Sequence, residues 1–238
     1  MMTRFSLLFT TSILLIAGFT SCKKVVGTGP QVSSIRTLDA FNSISLAMDA
    51  TVNITQDSFY KVEVIAQNNI MDAILTKVND GRLTIQHKNN VYIKSAPISV
   101  NITMPNINNL NLSGSGTIQV QNQLVNNSLE TNVSGSGKII IPSIETMNIT
   151  ATISGSGAIT IHSGITHQLI SNISGSGEID LLNVQANTAN TTTSGSGDTK
   201  VYATQSLYAK ISGSGDVYYR GNPSIESNIS GSGRLIKQ

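Results

Sequence analysis

The sequence predicts an all-β fold, a right-handed parallel β-helix (β-solenoid) with about seven Ser-Gly-Ser-Gly coils and an irregular N-terminal β cap. Two observations lead to this prediction. The tetrapeptide Ser-Gly-Ser-Gly occurs seven times, at intervals of 18 to 21 residues. Apolar and polar residues alternate on both sides of each copy, and this alternation is the period of a β-strand. Intervals this short hold two such strands and leave no room for a helix.

Residues 1–21 have the pattern of a secretory signal peptide. Arg4 precedes an apolar run, Phe5–Phe19, that is too short to cross a membrane as a helix. Two small residues follow, and then Cys22, the only cysteine of the chain. The arrangement resembles the lipobox of bacterial lipoproteins, with Phe19 in place of the usual Leu, and it implies lipid attachment at Cys22. The alternative is an ordinary secretory signal followed by an incidental cysteine.

Residues 22–35 are then expected to form a lipidated tether between the membrane and the folded part of the chain. Several acyl chains together anchor a protein stably, and no later apolar run reaches the length of a membrane span. Lys23 and Lys24 stand where an Asp would favour retention in the inner membrane. The sequence therefore predicts an outer-membrane lipoprotein that faces the periplasm or the cell exterior.

Residues 36–112 lack the tetrapeptide but have the alternation of β-strands. Apolar residues occupy every second position from Ile44 to Ile54, and Asp80-Gly81 is a hairpin turn signal. The period between Asn69 and Val78 is ambiguous between a short helix and a strand with a turn. We expect this region to cap the solenoid or to form its first coils, because an open end would invite edge pairing.

Residues 113–238 contain the repeat, which predicts columns of equivalent residues. The alternative, a stack of β-hairpins, is less consistent with length changes that are confined to one of the two corners. Stacked coils place equivalent residues about 4.8 Å apart, and glycine at a corner permits such close contact. The position two before each tetrapeptide predicts a column of amides and hydroxyls. Its members are Asn111, Asn132, Thr152, Asn172, Thr192, Lys210 and Asn228.

Three sequence features together resemble one protein family. They are the tetrapeptide array with the lipobox, the run Asn79–Ile85 and the closing run Val217–Pro223. The chain resembles the auto-transporter adhesin, head GIN domain family of Bacteroidota over residues 36–236. The resemblance implies a right-handed β-helix, an exported or surface location and an adhesin-like role, and it carries over no catalytic residues.

Three acidic residues occupy the same position in consecutive coils, four residues after the first Ser of the tetrapeptide. These are Glu178, Asp198 and Asp216. Stacked like charges repel each other, and carboxylates are ligands that Ca²⁺ prefers. The column is therefore a candidate calcium site. The alternative is a solvated column whose charge is offset by Lys200 and Arg234.

Tyrosines are concentrated in the last coils and are candidates for ligand binding. Tyr202, Tyr208 and Tyr218 are expected at outward or corner positions, whereas Tyr219 is expected to point inward. Exposed tyrosines stack on sugars or contact partner proteins. The alternative is that these aromatic rings close the end of the solenoid.

The sequence favours a non-enzymatic binding or structural module of the cell envelope. With 15 basic and 13 acidic residues the chain lacks the excess of positive charge that binds nucleic acid. The sequence contains no catalytic motif and no zinc-ligand spacing. We expect no cofactor other than the candidate Ca²⁺. The expected partners are the membrane, which the chain would contact through its lipid, and a glycan, an envelope protein or a second copy of the chain. The alternatives are a carbohydrate-active enzyme that uses Asp198 and its column, and a subunit of an envelope assembly.

Overall fold

The computed structural model describes residues 23–94 and 96–238 and contains an all-β solenoid of about six turns. The predicted fold class is confirmed, whereas the expected number of seven coils is not. Strands account for 67% of the chain and helix for 2%. Among the described residues, no helix is long and apolar enough to cross a membrane. Cys22 and the predicted signal peptide lie outside the described residues.

The N-terminal region holds nine strands and one short helix. They are β1 (Lys23–Val26), β2 (Gln31–Arg36), β3 (Ser43–Leu46), β4 (Thr51–Gln56), β5 (Lys61–Gln67), α1 (Asn68–Met71), β6 (Ile74–Asn79), β7 (Arg82–His87), β8 (Val91–Lys94) and β9 (Ser99–Met104).

The repeat region holds thirteen strands, several of which turn solenoid corners without a break. They are β10 (Asn109–Leu112), β11 (Thr117–Val120), β12 (Leu124–Val125), β13 (Ser128–Val133), β14 (Lys138–Ile141), β15 (Ile144–Ile153), β16 (Ala158–Ile161), β17 (Gly164–Gly175), β18 (Glu178–Gly195), β19 (Asp198–Gly213), β20 (Val217–Arg220), β21 (Ser224–Gly231) and β22 (Leu235–Lys237).

The coils stack through parallel pairing, which distinguishes a solenoid from a series of hairpins. The strands before the tetrapeptides form a first face, in which β10 pairs with β13 and β13 with β15. The strands after the tetrapeptides form a second face, in which β11 pairs with β14 and β14 with β16. A shorter third side begins at β12, which pairs with the start of β15. Each coil of the middle region therefore has three sides.

Antiparallel strands end the stack on its N-terminal side. On the first face β7 pairs with β3 in parallel, and β6 covers β7 in the antiparallel direction. On the second face β9 pairs with β4 in parallel, and β5 covers β9 in the antiparallel direction. The chain therefore builds the coil that contains β3 and β4 before the outer coil that contains β7 and β9.

The turn at Asp80-Gly81 and the segment between Asn69 and Val78 can be compared with what the sequence predicts for them. Asp80 and Gly81 have φ values of 49° and 71°, as a tight turn between the antiparallel strands β6 and β7 requires. The ambiguous segment contains both alternatives, because α1 is followed by a two-residue turn and then by β6. The described part of the expected tether contains paired strands, since β1 pairs with β8 and β2 pairs with β5.

The core consists of the inward columns. The isoleucines five residues after the first Ser of successive tetrapeptides have no exposed surface, and in the later coils Thr199 and Val217 continue the column. These isoleucines are Ile118, Ile139, Ile159 and Ile179. A few buried positions carry threonine instead of an aliphatic residue. Two of these, Thr193 and Thr199, form a hydrogen bond of 3.3 Å between their hydroxyls. Apolar burial along the columns supplies most of the stability of the coils.

The tetrapeptide corners depend on glycine. A Cβ on Gly155 would lie 2.5 Å from the carbonyl oxygen of Gly135 in the coil below. The backbones are this close because amides such as that of Ser176 donate to the corner carbonyl of the preceding coil, here Gly155, at 3.0 Å. The predicted amide column is present in part, since Asn132 Nδ2 donates to Asn111 Oδ1 at 3.0 Å.

Candidate functional site

The acidic column lies on the second face, and its members stack as the repeat predicts. Glu178 is in register with Asp198, and the next coil contributes Asp216. Asp198 Oδ1 accepts the backbone N–H of Asp216 at 2.8 Å, and Asp216 Oδ1 accepts the backbone N–H of Arg234 at 2.8 Å. Two of the three carboxylates therefore bond to the backbone of the coil that follows.

Cations occupy the outer side of this column. Lys200 Nζ lies 2.6 Å from a Glu178 oxygen and 3.6 Å from an Asp180 oxygen, and the hydrogen bond to Glu178 is the main cause of a raised pKa of Lys200. Arg234 lies 2.6 Å from Asp216 Oδ2. Within residues 23–94 and 96–238, no cluster of three or more His, Cys, Asp or Glu side chains has the geometry to hold a metal ion. Calcium binding at Glu178, Asp198 and Asp216 stays a prediction, and the geometry describes a hydrogen-bonded column.

Asp216 is the most constrained member of the column. It is buried, and hydrogen bonds from the Arg234 side chain lower its pKa below the usual 3.8, with smaller contributions in the same direction from the Arg234 backbone and Tyr218. Burial alone would raise this pKa. Because the folded state holds the carboxylate ionised more strongly than the unfolded state does, the ionised group stabilises the fold.

We expect Asp216→Asn to lower the melting temperature at neutral pH, because the amide cannot form the ion pair with Arg234. The difference from the wild type should be full above the usual pKa of 3.8 and should disappear as the pH falls through the lower folded pKa. Thermal unfolding followed by circular dichroism across this pH range measures it. Glu145→Gln, at an exposed carboxylate, is the control. A melting difference for Asp216→Asn that persists unchanged at the lowest pH would contradict the assignment.

The structure distributes the three candidate tyrosines over three sides of the solenoid. Tyr202 lies on the third side in register with Gln185, Tyr208 lies on the first face beside Asn190, and Tyr218 lies on the second face beside Lys200. All three are half-buried, and the Tyr218 hydroxyl donates to Asp216 at 3.4 Å. They do not form one patch, and a binding role for each stays a prediction. Tyr219 packs against the core.

A cavity of about 560 Å³ lies at the first tetrapeptide corner. It is bounded by Met48 and Asp49 on one coil, by Ser115 on the next, and by His87 and Tyr92 from β7 and β8. Its volume is within the range of small-molecule sites. Sequence reasoning did not place a site here, because the residues come from four separate segments.

The third side presents a surface that we call the ledge, defined by the apolar residues Val125, Met147 and Ile165 and by the polar residues beside them. The three apolar side chains are 53%, 54% and 63% exposed. They border a depression of about 360 Å³. The polar lining is Asn126, Asn127, Glu145, Thr146, Thr166, His167 and Asn187.

The apolar residues of the ledge come from three coils in register, and Asn187 comes from a fourth. Val125 pairs with Glu145, and Glu145 pairs with Ile165, so these residues form one outward column. The same column continues through Gln185 to Tyr202. Beside it, Asn187 Nδ2 and His167 Nδ1 are joined by a hydrogen bond of 3.0 Å. The ledge thus combines exposed apolar groups with amides and one carboxylate, Glu145.

Sequence comparison finds a family that covers most of the chain. The family described as "Putative auto-transporter adhesin, head GIN domain" matches residues 40–223. No curated protein sequence matches the chain.

Several solved structures are similar to this one. A "putative lipid binding protein" from Parabacteroides distasonis is 25% identical, with a TM-score of 0.75, and the alignment covers 91% of this chain and all of that one. A "putative adhesin" from Bacteroides fragilis is 22% identical, with a TM-score of 0.84 and coverage of 90% and 100%. Another "putative adhesin", from Parabacteroides merdae, is 21% identical, with a TM-score of 0.74 and coverage of 90% and 99%.

Proposed function

The chain belongs to the auto-transporter adhesin, head GIN domain family, and on this basis we propose that it is a lipid-anchored, non-enzymatic module of the cell envelope that binds a protein partner through the ledge. The family and the similar adhesin structure support a binding role at the envelope. The lipobox-like sequence that ends in Cys22 supports the anchor.

The exposed apolar side chains of the ledge are the observation that carries the proposal. Single exposed apolar side chains are common on folded proteins, whereas a group of them at one place is informative. Here Val125, Met147 and Ile165 border one depression. Exposed apolar groups that gather around one depression, as these three do, are typical of protein interaction sites.

The chemistry of the ledge favours a protein partner over a glycan. Sugar rings stack on aromatic side chains, but the described residues that line the depression include no Phe, Tyr or Trp. Glu145, the one carboxylate among the lining residues, lies between Val125 and Ile165 in the column, where it offers a partner a hydrogen-bond acceptor. Tyr202, two coils further along the column, extends the surface with a residue type that protein interfaces favour.

We expect Ile165→Lys to weaken binding of residues 23–238 to detergent-extracted envelope proteins at least tenfold, because a charged side chain would replace the most exposed apolar group of the ledge. Surface plasmon resonance with immobilised envelope extract measures this effect. Ile35→Lys is a matched control, since Ile35 is 67% exposed on β2 at the N-terminal end. Equal binding of both variants would contradict the ledge, and reproducible turnover of an envelope polysaccharide would contradict the non-enzymatic role.

A further inference from the structure

The C-terminal end of the solenoid leaves core positions uncovered. Ile225 and Ile229 on β21 point along the inward columns but are 42% and 44% exposed. The equivalent residues one coil earlier, Leu207 and Ile211, are each 1% exposed. Strand β21 pairs with β19 on one side, and in the part of the chain that the structure describes no strand pairs with its other edge. That edge offers unpaired N–H and C=O groups beside apolar side chains.

The opposite end of the same molecule shows how such a stack is closed. There the last parallel strand of each face, β7 or β9, is covered by an antiparallel strand, β6 or β5. An antiparallel strand is therefore compatible with the end of these faces. A strand added to a free sheet edge is also a general mode of protein association.

The sequence of β21 is complementary to itself in the antiparallel direction. Residues 224–230 read Ser-Ile-Glu-Ser-Asn-Ile-Ser, which is nearly palindromic about Ser227. Two antiparallel copies centred on Ser227 place Ile225 opposite Ile229 of the second copy, and place Glu226 opposite Asn228 of the second copy. Each apolar residue then meets an apolar residue, and each carboxylate meets an amide.

The molecule already contains the polar pair that this arrangement requires. On the first face, Asn109 is in register with Glu130 of the next coil, and Asn109 Nδ2 donates to the Glu130 carboxylate at 3.0 Å. The second face differs at this end, because β22 and its corner carry Lys237 and Arg234. Basic residues on an edge strand oppose pairing. The first face is therefore the side on which a second copy fits.

We propose that two copies of this chain associate end to end through an antiparallel β21–β21 pair with a two-fold axis at Ser227. This interface extends the first-face sheet across both molecules and covers Ile225 and Ile229 of each. It directs the two N-terminal ends, and with them the two predicted lipid anchors, away from the interface. The dimer is independent of the ledge, which lies on the third side.

A charge-swap series tests the pairing. Residues 23–238 are expected to be dimeric by light scattering at micromolar concentration. Asn228→Glu places two carboxylates opposite each other at both symmetric positions, so the dimer dissociation constant should rise at least tenfold. The double variant Glu226→Asn with Asn228→Glu restores the carboxylate–amide pairs, so it should dimerise like the wild type. Ile35→Lys, at the other end of the solenoid, should have no effect.

Cysteine cross-linking tests the register, because residues 23–238 contain no other cysteine. Ser227→Cys should form an intermolecular disulfide under mild oxidation, since the two Cα atoms are about 5 Å apart across the axis. Ser224→Cys should not cross-link to itself, but it should cross-link to Ser230→Cys when the two variants are mixed. A monomeric wild type, no rescue by the double variant, self-linking of Ser224→Cys, or loss of the dimer in Ile35→Lys would each overturn the proposal.

Discussion

Replacing Gly195 by alanine is expected to lower the free energy of unfolding by roughly 2–5 kcal/mol. Gly195 has a φ of 121°, a left-handed conformation that costs a residue with a Cβ about 1–2 kcal/mol. The added Cβ would also clash with the carbonyl oxygen of Gly175 in the coil below and would lie 3.2 Å from its nitrogen. Overpacking of this kind costs about 1–3 kcal/mol more, and backbone atoms in a hydrogen-bonded stack have little freedom to move away.

Urea unfolding of residues 23–238 measures this effect, and Ser196→Ala in the same tetrapeptide is the matched control. The Ser196 side chain is exposed, and its backbone amide, which donates to Gly175, is retained in the variant. We expect this control to lie within about 0.5 kcal/mol of the wild type. Equal stabilities of the two variants would show that the corner tolerates a side chain and that close stacking there is not required.

Cys22→Ser is expected to abolish incorporation of a labelled fatty acid and to move the protein from the membrane pellet to the soluble fraction. The proposed anchor depends on the thiol of Cys22, which a hydroxyl does not replace. Once the acyl chains are lost, no described helix can cross the membrane in their place. The measurement is metabolic labelling followed by fractionation, in a bacterium that processes lipoproteins.

Ser21→Ala is the control for this experiment, because it keeps a small residue before the cysteine. This variant should be labelled and pelleted like the wild type. If Cys22→Ser retained the label, or if the wild type were never labelled, the lipid anchor would be wrong. The binding proposal for the ledge does not depend on the lipid anchor and is tested separately.

The repeat made the solenoid predictable, because equivalent residues recur at near-constant intervals. The register confirms this directly, for instance in the pairing of Ser194 with Ser212 and of Gly195 with Gly213. The local turn at Asp80-Gly81 was predictable for a different reason, since positive φ values at two adjacent positions restrict the residue types. Both signals are contained in short stretches of sequence.

The order of the N-terminal strands was not predictable in the same way. Alternation shows which side of a strand faces the core, but it does not show which strand lies next to it. Thus the inward residues of β3 and β7 carry the same pattern, yet β7 lies outside β3 although it comes later in the chain. Such pairings depend on long-range contacts that no local pattern encodes.

The acidic column was partly predictable from the repeat, whereas the ledge was not. The stacking of Glu178 on Asp198 followed from the repeat, whereas the bonds of Asp198 and Asp216 to backbone amides depend on side-chain directions at the corner. The ledge gave no sequence signal, because Val125 and Met147 lie in the corner where chain length varies and the alternation is interrupted. Their exposure became visible only once three coils were stacked.

Site-specific photo-crosslinking in intact cells tests the proposed function most directly. A benzophenone amino acid at Met147 places the reactive group on the ledge, and the same group at Lys138 lies on an exposed position of the second face. The account predicts a discrete adduct with an envelope protein from Met147 alone, and loss of that adduct when Ile165→Lys is added. Adducts of equal yield from both positions, or none from Met147, would contradict it.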